Sequence, residues 1–160
     1  MTNVFCKSAA VASVLLLAGC GGGTPSNVGV VSGVVTLDGQ PLPDAIVTFT
    51  PAGTGSVVRA TTDAAGKYQL VYSPDVYGAE IGEYKVAISS YQTGDPDADP
   101  PKPKVPEKVP AKYNVKSELS AKVNAGENVL DFELKKDGPI IQPEQVQKQE
   151  DAQERRRTSC

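Results

Sequence analysis

The sequence predicts an all-β protein, a sandwich of about seven strands, and three observations carry that expectation. The stretch Val31–Thr50 has apolar residues at the odd positions Val31, Val35, Leu37, Ala45, Val47 and Phe49, the period-2 pattern of strands with one buried face. Turn formers are abundant, with Gly 15 and Pro 13 among 160 residues, while Trp and His are absent and Phe occurs three times, a balance that suits many short strands better than packed helices. Asp-Gly and Asp-Ala-Ala-Gly signals separate the alternating runs, where a chain must reverse.

The N-terminus reads as an address. Lys7 precedes the apolar run Ala9–Leu17, and the run ends at Ala18-Gly19-Cys20; this is a secretory signal, too short to span a membrane. Residues 1–19 are expected to be removed. Gly21 to Asn27 then form a Gly-rich tether after Cys20, which at ~3.5 Å per extended residue reaches about 25 Å. Loss of Lys7 leaves 15 basic residues against 19 acidic ones, moving the balance from -3 to -4. No basic field supports nucleic-acid binding.

The expected domain spans 28–136. After the first two strands, Val57–Thr62 reads as a third, Asp63–Gly66 as a hairpin turn and Lys67–Tyr72 as a fourth with Tyr68 and Leu70 inward. Ser73–Ala79 reads as a loop. Gly82–Ser89 alternates, placing Tyr84, Val86 and Ile88 in the core. From 92 to 116 the pattern stops, and six prolines from Pro96 to Pro110 predict a partly polyproline loop without regular pairing. Glu118–Val123 and Asn128–Leu134 close the domain around a turn at Asn124–Glu127, with Leu119, Val123, Leu130, Phe132 and Leu134 inward. This is the size of an immunoglobulin-like or prealbumin-like sandwich. The polar segment 137–160 carries little apolar surface and reads as a disordered tail with a transient helix after Pro143.

Two resemblances add to this reading. Leu17-Ala18-Gly19-Cys20 resembles the lipobox of bacterial lipoproteins, which implies that the Cys20 thiol carries lipid and becomes the first residue of the mature chain. Residue 21 is not the aspartate that retains some lipoproteins at the inner membrane, which implies the outer membrane of a bacterial envelope. Gly33-x-Val35-Thr36-x-Asp38-Gly39-x-Pro41-Leu42, Ala45-x-Val47-x-Phe49, Thr62-Asp63-x-x-Gly66-x-Tyr68 and Gly82-x-Tyr84-x-Val86 resemble carboxypeptidase regulatory-like domains of the transthyretin-like superfamily. Val109-Pro110-Ala111-Lys112-Tyr113 with the closing strands is further similar to planctomycete-type lipoproteins with such a domain. The resemblance implies a seven-stranded accessory sandwich, commonly without catalysis.

The residues offer little chemistry. No histidine is present, which closes imidazole triads, His-ligated zinc and the histidine-dependent hydrolases of the same superfamily. No lysine lies between Lys7 and Lys67, where an isopeptide-forming relative would draw one. Asp95, Asp97 and Asp99 are candidate calcium ligands, although Pro100 and Pro106 replace the glycine and glutamate of an EF-hand loop. Tyr77, Tyr91 and Tyr113, together with Tyr72, are the candidate platforms for a sugar ring. Glu80 and Glu83 make a conceivable carboxylate pair without an evident pocket. With Cys6 removed and Cys20 acylated, Cys160 would be the only free thiol, which rules out an internal disulfide in the mature chain. The reading is therefore a lipid-anchored, non-catalytic envelope protein without cofactor, held to the membrane through Cys20 and facing a protein partner. The alternative is a carbohydrate-binding module recognising an envelope polysaccharide.

Overall fold

The computed structural model describes residues 27–148. The expected signal sequence, Cys20, most of the expected tether, residues 149–160 and Cys160 lie outside the described residues. In chain order the strands are β1 (Val28–Leu37), β2 (Gln40–Pro41), β3 (Ile46–Pro51), β4 (Val58–Thr61), β5 (Lys67–Gln69), β6 (Val71–Ser73), β7 (Val76–Tyr77), β8 (Ala79–Glu80) and β9 (Gly82–Ser89), followed by β10 (Leu119–Val123), β11 (Gly126–Val129) and β12 (Phe132–Leu134). A 3-10 turn covers Ala111–Tyr113 and a short helix covers 143–148.

The protein is an all-β sandwich. β1 is the spine of one sheet: β11 and then β12 run parallel to it on one side, and β8, β5 and β2 run antiparallel on the other. The second sheet has the order β10-β9-β3-β4, all antiparallel. The principal strands are β1, β3, β4, β5, β9, β10 and the broken β11–β12 run, which matches the expected seven.

The inward residues are those of the period-2 pattern. Val31, Val35, Val47, Phe49, Leu70, Val86 and Ile88 are fully buried between the sheets, and each such side chain contributes about 1.5–3 kcal/mol by leaving water. Phe49 is the centre of an aromatic cluster, with its ring 5.7 Å from Tyr84, 6.3 Å from Phe132 and 6.4 Å from Tyr68. Burial raises the pKa of the Tyr68 hydroxyl, with the Asp131 charge adding to the effect; this hydroxyl donates to the Leu130 carbonyl at 2.7 Å.

The expected single strands at Lys67–Tyr72 and Asn128–Leu134 are each broken. At Leu70 the chain leaves β1: its N–H still bonds Val31 O, while its carbonyl accepts from Gly78. The expected loop 73–79 is therefore a small β6–β7 hairpin followed by β8. Gly78 has φ +120, and a Cβ there would lie 1.9 Å from Gly29 O, so only glycine lets this return pass under β1. Between β11 and β12 the ladder skips, and Asp131 Oδ1 accepts the Val34 N–H at 2.8 Å in place of a carbonyl. The turn at Asp63 forms as expected, since its Oδ1 accepts from the N–H groups of Ala65 and Lys67.

The register gives the sandwich two distinct ends. Asn27 and the start of β1 lie beside Glu80 and Ile81, because Ile81 N–H donates to Asn27 O and Val28 pairs with Glu80. The far end of β1 lies beside Leu42–Ala45, and Ile46 pairs with Ser89. Ten residues of β1 at about 3.3 Å each separate these poles by roughly 30 Å.

Candidate functional site

The far pole carries an arm formed by the proline-rich segment, and the arm is paired where no pairing was expected. Gln92 and Val105 exchange two backbone hydrogen bonds, and so do Asp95 and Lys102. The four residues that bond retain their N–H groups, while Pro96, Pro100 and Pro101 occupy the tip and Pro103 falls between the bonded positions. Proline thus spaces the hairpin without having to donate to it.

Glu107 fastens the base of this arm to the end of β9. It is only 4% exposed, and its Oε1 accepts from Ser90 N–H at 2.9 Å, Ser90 Oγ at 2.8 Å, Lys108 N–H at 3.0 Å and Val109 N–H at 2.9 Å. Oε2 accepts from Ser89 Oγ. A buried carboxylate is tolerated when donors converge on it in this way. Val109 behind it is fully buried and joins the main core.

A second layer lies against the arm. Residues 137–148, expected as the start of a free tail, form a strap held at four places. Lys112 pairs with Asp137 at 2.8 Å, and Ala111 N–H donates to Pro139 O at 2.9 Å. The Gln142 side chain reads the Glu107 backbone in both directions, accepting its N–H at 2.9 Å and donating to its carbonyl at 3.1 Å. Glu144 pairs with Lys104 and accepts from Tyr91 Oη. Backbone and amide hydrogen bonds replace the apolar stripe whose absence suggested disorder. Lys112 holds the Asp137 carboxyl below its ordinary range, and Lys104 does the same to Glu144.

The candidate residues are distributed over both poles. Tyr77 lies on β7 at the tether pole and is half exposed, whereas Tyr91 and Tyr113 lie at the far pole. Tyr113 packs against the core, its oxygen accepts from Lys135 N–H, and Lys112 Nζ sits 4.9 Å from its ring. Lys104 Nζ stands 6.0 Å from the Tyr91 ring. The three tyrosines do not form one platform. Tyr72 donates to Glu80 Oε1 at 3.1 Å, and that bond is the main cause of the raised pKa of its hydroxyl.

Asp95 spends Oδ1 on the Asp97 N–H at the arm tip, and among the described residues no three acidic, cysteine or histidine side chains converge as a metal site. Glu80 caps the Ser56 N–H and binds Tyr72, while Glu83 is exposed on β9 opposite Lys122. The two carboxylates have separate structural duties. A shallow groove of about 710 Å³ on the outer face of the β1 sheet is lined by Ser32, Val34, Lys67, Gln69, Val129 and Asp131, and Asp131 is already bonded to β1 there.

No protein-family model, curated protein or solved structure matches the chain. Among the described residues, no helix is long and apolar enough to cross a membrane. The residues that organise the far pole, Glu107, Gln142 and Glu144, were not among the sequence candidates. The one available signal was an isolated acid in Lys104-Val105-Pro106-Glu107-Lys108-Val109, a context that does not distinguish a buried carboxylate from a solvated one.

Proposed function

We propose that this protein is a lipid-anchored, non-catalytic interaction module of a bacterial envelope, tethered through Cys20 and presenting its proline-rich arm to a protein partner. The observation that carries the reading is polarity. The lipobox-like Leu17–Cys20 precedes β1 by a seven-residue linker, and β1 separates that entry point from the arm by roughly 30 Å. An acylated Cys20 would therefore hold one pole near the bilayer and turn the arm away from it. The outer membrane fits residue 21 being glycine. The carboxypeptidase regulatory-like resemblance supports an accessory role, as do Asp63, Asp131 and Glu80, whose carboxylates are committed to backbone or tyrosine partners.

Metabolic labelling with a fatty acid in a Gram-negative host tests the anchor. The chain should take up label and fractionate with membranes, and Cys20→Ser should accumulate as an unlabelled precursor. A normally processed Cys20→Ser product would sink the proposal. Lysine-directed cross-linking in intact cells should then capture a protein through Lys102 or Lys108 on the arm; capture only through Lys122 would place the partner elsewhere.

A further inference from the structure

We propose that the strap is exchangeable, and that residues 137–148 of one copy dock on the arm of a second copy to give a reciprocal dimer at the membrane-distal pole. The proposal deepens the interaction-module reading and rests on it for the alignment of neighbouring copies.

The strap behaves as a ligand attached to its receptor. Its recognition elements are Asp137, Pro139, Gln142 and Glu144, which meet Lys112, Ala111, Glu107 and Lys104 in that order along the arm base. No strap residue belongs to the core cluster: Ile140 is 44% exposed, and Ile141, Pro143 and Val146 are only partly buried. The surface it covers needs a carboxylate, a carbonyl, a primary amide and a second carboxylate in one extended segment. The occupant whose complementarity is already evident is this segment itself, and a second copy supplies it unchanged.

The hinge favours exchange. Only Lys135 and Lys136 separate β12 from the first strap contact at Asp137, and each is fixed to the body by one backbone hydrogen bond, Lys135 N–H on Tyr113 Oη at 3.3 Å and Lys136 N–H on Asp38 Oδ1 at 3.1 Å. Gly138 follows immediately. A connection this short is the usual setting for swapping, because it leaves little slack for docking on its own copy, and crossing to a second copy keeps every strap contact. Tethered copies would all carry their arms at one height. A two-fold axis along the membrane normal would then let two neighbours exchange straps while both tethers reach the same bilayer. Confinement to a surface also raises the effective concentration for the second contact.

The experiment uses native contacts. Equal amounts of normal and nitrogen-15-labelled full chain, purified from membranes, are reconstituted together in phosphatidylethanolamine–phosphatidylglycerol vesicles and treated with a carbodiimide. The reagent joins amines to carboxylates in contact, so Lys104–Glu144 and Lys112–Asp137 become covalent. Exchange is expected to give mixed-isotope pairs, up to about half of the total if straps redistribute freely between copies. Like-isotope pairs alone, or no coupling at these positions, would overturn it. Gln142→Ala, which leaves both ion pairs in place, weakens the docked strap equally on its own copy and on a neighbour, so it should lower the total coupling at both positions through lost hydrogen bonds, mixed and like pairs alike. A total coupling yield that Gln142→Ala leaves unchanged would mark random collision of surface charges and also overturn the proposal. Flotation of the same preparation with the vesicles tests anchoring separately. A chain that fails to float yet gives mixed pairs in detergent would end the anchoring reading and leave the exchange standing.

Discussion

Replacing Glu107 separates the roles of its two oxygens. In Glu107→Ala the N–H groups of Ser90 and Val109 lose their acceptor, and both residues are buried, at 5% and 0% exposure. Each stranded donor costs about 1–3 kcal/mol, so the loss should be roughly 2–6 kcal/mol, a large part of the ~5–15 kcal/mol that holds a typical domain. Lys108 N–H keeps Ser90 Oγ as a partner and adds little. Glu107→Gln should behave differently. Four donors converge on Oε1, while Oε2 meets only the Ser89 hydroxyl, so an amide can place its oxygen at Oε1 and its NH₂ at Oε2. The Ser89 hydroxyl then turns to accept, and only the charge assistance is lost, about 1 kcal/mol. Urea unfolding followed by far-UV circular dichroism measures both variants against the parent. Equal destabilisation by Gln and Ala, or a loss below about 1 kcal/mol for Ala, would refute the assignment of the donors to Oε1.

Phe132→Asp should abolish cooperative unfolding, since it deletes a ring packed on Phe49 and Tyr68 and leaves a charge without a partner, together at least ~4 kcal/mol; an unchanged thermal transition would place β12 outside the core. Gly33→Ala should be nearly as damaging, because the added Cβ would lie 1.9 Å from Leu130 O; wild-type stability would show that β1 and the broken strand are not so closely apposed. Docking of the strap should depend on pH. The carboxyls of Asp137 and Glu144 titrate lower when docked than when free, so their contribution is fully present above the free-state range near pH 4 and disappears as pH falls through the docked values. The protection factor of the Ala111 N–H, which bonds Pro139, should fall below about pH 4 while that of Val47 does not; a parallel fall of both would mean that the strap is not separable from the fold.

The elements with local causes were legible in the sequence. Gly82–Ser89 alternates because one face meets the core, and β9 spans those residues. Asp63 and Gly66 announce a turn because the bonds that make it lie within four residues. Pairing partners were not legible. That β11 and β12 lie parallel to β1 depends on contacts about a hundred residues apart, and the break at Leu130–Asp131 is set by a bond from Val34 to Asp131. Residues 137–148 looked like a tail because hydrophobicity is the usual sign of docking, and this segment docks through polar groups whose hydrogen-bond partners only the folded arm supplies. The expectation of lipid on Cys20 came from the lipobox resemblance, and the metal and sugar candidates arose from residue type and spacing alone. The structure separates Tyr77 from Tyr91 and Tyr113 because β1 stands between their poles.

The two poles are built from different forces, and the difference bears on what each can do. Between the sheets, stability comes from Phe49 and its apolar neighbours, which salt and moderate pH hardly affect. At the far pole it comes from one buried carboxylate, a glutamine reading a backbone, and exposed ion pairs. Exposed pairs contribute little each and weaken with salt. The strap can therefore leave the arm without loosening the sandwich, because none of residues 137–148 belongs to the core cluster around Phe49, Val47 and Val86. The arm should stay in place when the strap leaves, since Glu107 ties it to Ser89 and Ser90 independently of Gln142. Local opening of this kind is what a docking surface needs: a rigid receptor and a ligand held only by contacts that can be exchanged.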